Sequence, residues 1–389
     1  MSALIGVLLN TSSLFIAHIR AEYAFSMTRA ASYNTVKALS AAFIGAWCSS
    51  LFFRVDKKRF FVCAELLNVL AFLLLLTGAD TPLWYVSAAI MGPFASLSGV
   101  SIPYVLSRSF PEKPGTASGI AMAFGGVAGA VFSALAGGLV ERMGWRDTLA
   151  VFCAVSIALC AAGIYLVFYK GGWKDEASGA PEHSSWHRRG FEREYDREGQ
   201  SHSRNVRSFI LVSVMLSGST VIMQLIYKLG LFAQSIGLSA AQAASLNSMI
   251  MVGNIFGKLI FGRLCDRLSV WKAFALSSAA IGASLSGLAF HGAGMPLLMA
   301  SAAVYGTAYA LGTVGLSRSC AAAYGTAGQK RFTGYHVGIV NAVGAAASVG
   351  AGALYDRSGS FRGLLVMAAA SVMLIMICSL ILERGRKRA

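Results

Sequence analysis

Charge is what this chain has least of. Only 13% of its 389 residues are Asp, Glu, Lys or Arg, against about a quarter in soluble domains, which excludes an ordinary soluble globular domain. Catalytic signals are missing as well. No nucleophile–base pair, metal-ligand motif or phosphate loop appears, so an enzyme, a metal site and a cofactor are all unexpected. The seven cysteines (48, 63, 153, 160, 265, 320, 378) are odd in number and form no CxxC pair, which fits small packing residues rather than a disulfide framework. Acidic residues are the rarest charges, 17 against 33 basic ones for a net charge of +16. That excess does not indicate nucleic-acid binding, because the basic residues sit in short loops between apolar runs.

Apolar runs near twenty residues recur along the whole chain, which is 56% hydrophobic, and runs of that length mark helices crossing a bilayer. Reading between charge and turn clusters gives twelve spans, near 3–20, 34–53, 60–77, 83–106, 116–138, 147–169, 208–232, 240–262, 271–291, 295–317, 331–353 and 363–382. The fold class is an all-α membrane protein. The first run lacks a basic leader and a cleavage site, so it reads as a span and not a signal peptide. It is short, and no tail precedes it, as expected if the reading frame begins further upstream. Residues 171–206 are polar, mixed in charge and nearly free of aliphatics. Such a stretch buries too little surface to order itself. It reads as a flexible linker between two six-helix halves, 1–170 and 207–389.

Orientation follows from the basic residues. Twenty-four of the 33 fall in loops on the linker side, eight on the other (Lys37 among them), and Lys258 alone lies deep in a span. The positive-inside rule puts both termini and the linker in the cytoplasm of a cell membrane. Trp84 and Trp145 then mark the outer interface, with Trp173 and Trp271 at the inner one. The halves also repeat: Ser49, Leu51 and Arg54, after the second span, align with Gly262, Leu264 and Arg267 after the eighth. Two related halves around a shared site is the plan of a secondary transporter.

Gly262-x-Leu264-x-Asp266-Arg267 resembles the loop signature G-x-L-x-D-R of the major facilitator superfamily, and its N-terminal copy is degraded, with Ser49 for glycine and Phe53 for aspartate. The resemblance implies twelve helices in two pseudo-symmetric halves and a cytoplasmic gating loop made by Gly262, Asp266, Arg267 and Arg54. The carboxylate can sit at the positive N-terminus of another helix, which predicts Asp266 near 116–118. A narrower resemblance is to the monocarboxylate transporters and the oxalate/formate antiporters. It rests on "EYAFS" (22–26), on Arg108-x-Phe110-Pro111 followed by Gly115-x-Ala117-x-Gly119-Ile120, on "GWR" (144–146) and on "YDRSGSFR" (355–362). The Gly-Pro motif of drug/proton antiporters and the P-E-S-P-R of sugar transporters are missing.

Lys258 is the central question. An ionised lysine in mid-span costs at least about 2.5–3.5 kcal/mol, so such residues face a cavity or a partner. It precedes Asp266 by eight residues, roughly 12 Å along a helix. The carboxylate transporters place a substrate-gripping arginine here, with Asp or Asn four residues earlier, where Asn254 stands. Lysine replaces the arginine fork with a point charge; the plainer alternative is that Lys258 snorkels to the cytoplasmic surface. The family's fourth-span tyrosine aligns with Gly99, leaving Ser98 or Ser101 as substitutes. Asn341 lies near the missing second cation of the oxalate type, and one cation suits a monoanion. Asn10, Gln224, Tyr305 and Tyr309 fall at mid-depth, each either a ligand contact or a helix–helix hydrogen bond. The resemblance implies a small organic anion, a monocarboxylate, as substrate, moved by alternating access in symport with protons or antiport against a counter-anion.

Only Glu65 among the acids lies inside a span, near the cytoplasmic end of a peripheral one, so a carboxylate relay at the central site is absent. Proton coupling then falls to Lys258, His336 or His18, or gives way to anion exchange. An exporter of hydrophobic or cationic compounds and a non-transporting membrane sensor are the alternatives. The linker composition makes one outcome testable: limited proteolysis in detergent should cut first between about 172 and 205, with the two halves remaining associated on size exclusion.

Overall fold

The computed structural model describes residues 15, 19, 22–23, 27–52, 55–76, 82–110, 112–166, 206–228, 232–233, 235–238, 240–290, 292 and 294–386. All regular elements among them are helical: α1 (Met27–Phe52), α2 (Lys57–Leu76), α3 (Leu83–Ser109), α4 (Pro114–Ile164), α5 (Val206–Tyr227), α6 (Ala240–Arg267), α7 (Val270–Ala289), α8 (Met295–Gly306), α9 (Ala308–Gly312), α10 (Val314–Ser358) and α11 (Arg362–Arg386). Two of these are double. The chain reverses at Gly144 (φ 82°) inside α4 and at Gly325 (φ 65°) inside α10, positive-φ conformations that glycine adopts without a Cβ penalty. With α8, α9 and the first arm of α10 forming one interrupted span, the elements match the second to twelfth expected spans. The first span, the linker and Trp173 lie outside the described residues.

Lipid explains the side-chain pattern. Along α2, Glu65, Asn68, Val69, Phe72 and Leu75 are buried while Leu66, Leu67, Leu70 and Leu73 are exposed. A helix apolar on both faces has one face for its neighbours and one for hydrocarbon. Eight helical stretches among the described residues are long and apolar enough to cross a bilayer.

The described helices separate into two compact units. One comprises residues up to 102, 124–190 and 333–338; the other comprises 103–123, 191–332 and 339–389. The first has a core of Phe15, Ile19, Tyr33, Val69, Phe72, Trp84, Leu149 and Phe152, with Phe152 edge-on to Phe15 and Phe132. In the second, α11 packs on α5 and α7, and α6 on α8. The C-terminal end of α11 is tied by Glu383, which accepts a hydrogen bond from Ser269 Oγ at 2.7 Å and pairs with Arg386 at 3.2 Å. Ser269 in turn caps α7 by accepting from the Lys272 N–H.

Three sequence expectations change. Trp84, Trp145 and Trp271 are buried within their units rather than facing the membrane interfaces; the Trp84 ring packs tilted against Tyr33, centroids 4.6 Å apart. The second span begins at Met27, not 34, because a helix can start on polar residues well before its apolar stretch. Lys37 therefore lies ten residues inside α1, roughly 15 Å from its start, and is a second intramembrane lysine rather than an outer-loop charge. Glu65 stands eight residues into α2, roughly 12 Å from its N-terminal end, and is deeper than the sequence suggests.

The "EYAFS" and "GWR" segments meet in the first unit. Trp145 Nε1 donates to Glu22 Oε2 at 2.5 Å, Arg146 pairs with the same carboxylate at 2.8 Å and donates to the Tyr23 hydroxyl at 3.0 Å. The Arg146 guanidinium lies 4.5 Å from the Trp145 ring centre. The Trp145 donor, and then Arg146, hold the Glu22 carboxyl below its ordinary value of 4.5. A lowered carboxyl stabilises the fold above that value and loses its contribution as pH falls through the folded-state value. Glu22→Gln should therefore lower the melting temperature in detergent at neutral pH, and the gap to wild type should close as the pH is taken below 4.5.

Candidate functional site

The site begins with a capping problem. Helix α4 opens on Lys113-Pro114-Gly115-Thr116, with no acidic residue in its first turn. Pro114 has no N–H to satisfy, and Ala117 N–H already bonds the Lys113 carbonyl at 3.0 Å. Gly115 and Thr116 are left with orphan donors. Asp266, one residue from the end of α6, takes both: Oδ1 accepts from Gly115 N–H at 2.8 Å and Oδ2 from Thr116 N–H at 2.6 Å. Arg318, on the first arm of α10, stands 3.6 Å from Oδ1, with both side chains nearly buried. The sequence places this contact at 116–118; it lies at 115–116.

A cap supplied by another helix requires the two backbones to touch, and glycine allows it. A Cβ at Gly115 would collide with the Gly262 carbonyl oxygen, one at Gly262 with the Gly115 carbonyl, and one at Gly119 with the Lys258 carbonyl. This is small-xxx-small packing of two membrane helices. The other flank of α6 is equally close. Cβ atoms at Gly253 and Gly257 would strike Ala303 and Thr307, the latter at the break between α8 and α9. Asn254 and Lys258 follow these two glycines directly, on a helix held from both sides.

Lys258 is 7% exposed and Asn254 4%, so Lys258 does not snorkel to the surface. Its ammonium donates to the Met122 carbonyl of α4 at 3.3 Å. Among the described residues this is its sole hydrogen bond, and an ammonium has three donors. Asn254 Oδ1, one turn before Lys258, and Ser118 Oγ, one turn before Met122, are buried without hydrogen-bond partners.

The remaining candidates divide. Tyr305 is fully buried and its hydroxyl donates to the Ile222 carbonyl at 2.8 Å, so it is a helix–helix bond and not a ligand contact. Gln224 makes only long contacts, to the carbonyls of Gly344 at 3.4 Å and Thr220 at 3.5 Å, and its Oε1 has no partner. Tyr309 and Asn341 are half-buried, Ser101 and His336 buried, and Arg267 exposed. Asn10, His18, Arg54 and the Ser98 side chain lie outside the described residues. Sequence reasoning missed the pairing of Arg318 with Asp266, the orphan Ser118 and the depth of Lys37. Polarity inside an apolar run was the available signal for the last two. No cluster of three metal-ligating side chains occurs among the described residues.

A profile of the Major Facilitator Superfamily matches residues 1–232, more than half of the chain. The chain belongs to that family. It is a multi-pass membrane transporter of small molecules, and not an enzyme. Two solved structures share its fold. The E. coli fucose:proton symporter FucP has a TM-score of 0.69 at 15% identity, over 98% of this chain and 96% of that one. A bacterial homologue of the iron transporter ferroportin, in an outward-facing state, has 0.69 at 13%, over 98% of both chains. No curated protein sequence matches.

The contact between α4 and α6 in this transporter is open to a direct test. Asp266→Ala leaves two helix N–H groups and Arg318 without their carboxylate, and should cost about 2–4 kcal/mol. Gly119→Val should cost about 1–3 kcal/mol by forcing the helices apart. Thermal unfolding of the detergent-solubilised protein reads both. The opposite substitution on an open site, Gly163→Ala, where a Cβ meets nothing, should leave the transition within about 1 kcal/mol of wild type.

Proposed function

We propose that this transporter moves a small organic anion, with a monocarboxylate the best fit, and that Lys258 takes the carboxylate. The observation that carries this is the lone hydrogen bond of a buried lysine. An ammonium in a span keeps its charge only with a counter-charge or several acceptors, and one carbonyl at 3.3 Å leaves two N–H donors unused. A carboxylate would supply the counter-charge and accept from both. Asn254 Oδ1, an acceptor without a donor, suits a hydroxyl or amide N–H on the same substrate, and Ser118 Oγ is the neighbouring hydroxyl on α4.

Charge favours an anion over the alternatives. Lys37 is a second lysine inside a span, and no described acidic side chain pairs with either lysine within 4 Å. A cationic compound would meet like charge in both helices, and a neutral hydrophobic one would leave both ammonium groups unpaired. The bodies that move are the halves 1–170 and 207–389, joined by 171–206, with Lys258 exposed alternately to each side of the cell membrane. Both termini lie in the cytoplasm. Coupling is to protons or to a counter-anion.

Equilibrium binding of a panel of radiolabelled short carboxylates to purified protein tests the assignment. Lys258→Ala should reduce binding at least about 100-fold, the order expected for loss of a buried charge pair, while the melting temperature holds or rises. Lys258→Arg should keep binding with a changed order of preference, since a bidentate fork replaces a point charge. Normal anion transport by Lys258→Ala would defeat the proposal.

A further inference from the structure

We propose that Glu65, with Ser156 and Asn68, forms an exchangeable proton-binding site inside the membrane, on helices that do not carry Lys258. Glu65 and Asn68 stand one turn apart on the buried face of α2, 2% and 0% exposed. Facing them is the second arm of α4, whose Leu149, Phe152, Cys153 and Ser156 share a buried face at helical spacing.

The polar groups here do not balance. Ser156 Oγ donates to Glu65 Oε1 at 2.6 Å. Glu65 Oε2 has no partner, and neither does the oxygen or the nitrogen of the Asn68 amide that lies against it. Among the described residues, the other titratable groups facing Glu65 are the thiols of Cys153 and Cys160 on α4. No lysine, arginine or histidine pairs with it among the described residues. An ionised carboxylate would be an isolated charge in apolar surroundings with a single hydrogen bond, a placement that drives such groups to neutralise.

One proton resolves most of this. Placed on Oε2 it makes that oxygen a donor, and an Asn68 amide rotated to present Oδ1 accepts from it, so two orphaned oxygens are satisfied together. A metal cation fits less well. Hard cations take six or more oxygen ligands, and this cluster offers Oε2, Oδ1 and Oγ. The rest of the α2 contact with α4 is aliphatic and aromatic packing. Adding or removing the proton therefore changes the charge of an otherwise dry helix–helix seam, a change able to bias how the two helices pack.

The test uses the full-length protein in liposomes, with the proton itself as ligand. Infrared spectra should show a protonated-carboxyl carbonyl band that is lost between about pH 5 and about pH 9, the range over which buried glutamates titrate. The band should be absent in Glu65→Gln and shifted in Ser156→Ala. Modification by dicyclohexylcarbodiimide, which needs the protonated acid, should map to Glu65 and fall several-fold across the same range. The proposal is overturned by a band that does not respond to pH, since Glu65 is then a permanently neutral packing residue. It is equally overturned if wild type and Glu65→Gln give the same spectra, or if the signal follows sodium concentration and not pH. Should Glu65→Gln fail to fold, the wild-type titration with the Ser156→Ala shift decides the matter.

Discussion

Two backbone N–H groups at the start of α4, on Gly115 and Thr116, have no partner in their own helix, and the carboxylate of Asp266 reaches them from α6. Much of the second unit is arranged around that reach. A carboxylate at the C-terminal end of its own helix faces the negative end of the macrodipole, so Asp266 is stable there only because α4 and Arg318 surround it with positive partners. The cap also needs helix backbones in van der Waals contact, which explains Gly115, Gly119 and Gly262 together. Gly262-x-Leu-x-Asp266 is thus a single contact surface. The glycine brings the backbones together and the aspartate, one turn on, closes the helix end.

The same contact mounts Lys258. Gly119 lies against its carbonyl, and the next turn of α4 offers Met122 to its ammonium. On the opposite flank Gly253 and Gly257 seat α6 against the interrupted span of α8 and α9. A cation in a membrane is useful for recognition when its position is fixed and its hydrogen bonding is incomplete. Close packing on two sides gives the first, and the single long bond to Met122 leaves the second.

How much of this could be read from the sequence depended on distance along the chain. The spans, the capping role of Asp266 and the burial of Lys258 follow from short-range rules: run length, signature spacing and the cost of a charge in lipid. The depth of Lys37 was hidden because hydropathy marks where apolar residues begin, and α1 begins seven residues earlier on Met27-Thr28-Arg29. The partners of buried polar groups were hidden for another reason. Tyr305 and Gln224 lie at similar depth with similar polarity, yet one is closed by Ile222 and the other is left with a free oxygen. Only the three-dimensional neighbours separate them. Ser156 carries no sequence signal at all until α2 is seen beside it.

Satisfied and unsatisfied polar groups have different uses in this fold. Tyr305 to Ile222, Ser269 to Glu383 and Gln329 to Ser317 are closed pairs that hold helices in register. Orphaned atoms cluster in two places, beside Lys258 on Asn254 and Ser118, and on Glu65 with Asn68; Gln224 Oε1 and Ser278 Oγ belong to neither, and nothing in the structure explains Ser278. Buried polar atoms without partners are expensive, so where they cluster a missing ligand is the economical explanation. The two clusters call for opposite ligands, an anion at a lysine and a proton at a carboxyl. They sit on different helices, α6 with the start of α4 in one case and α2 with the second arm of α4 in the other. Helix α4 and its reversal at Gly144 are common to both.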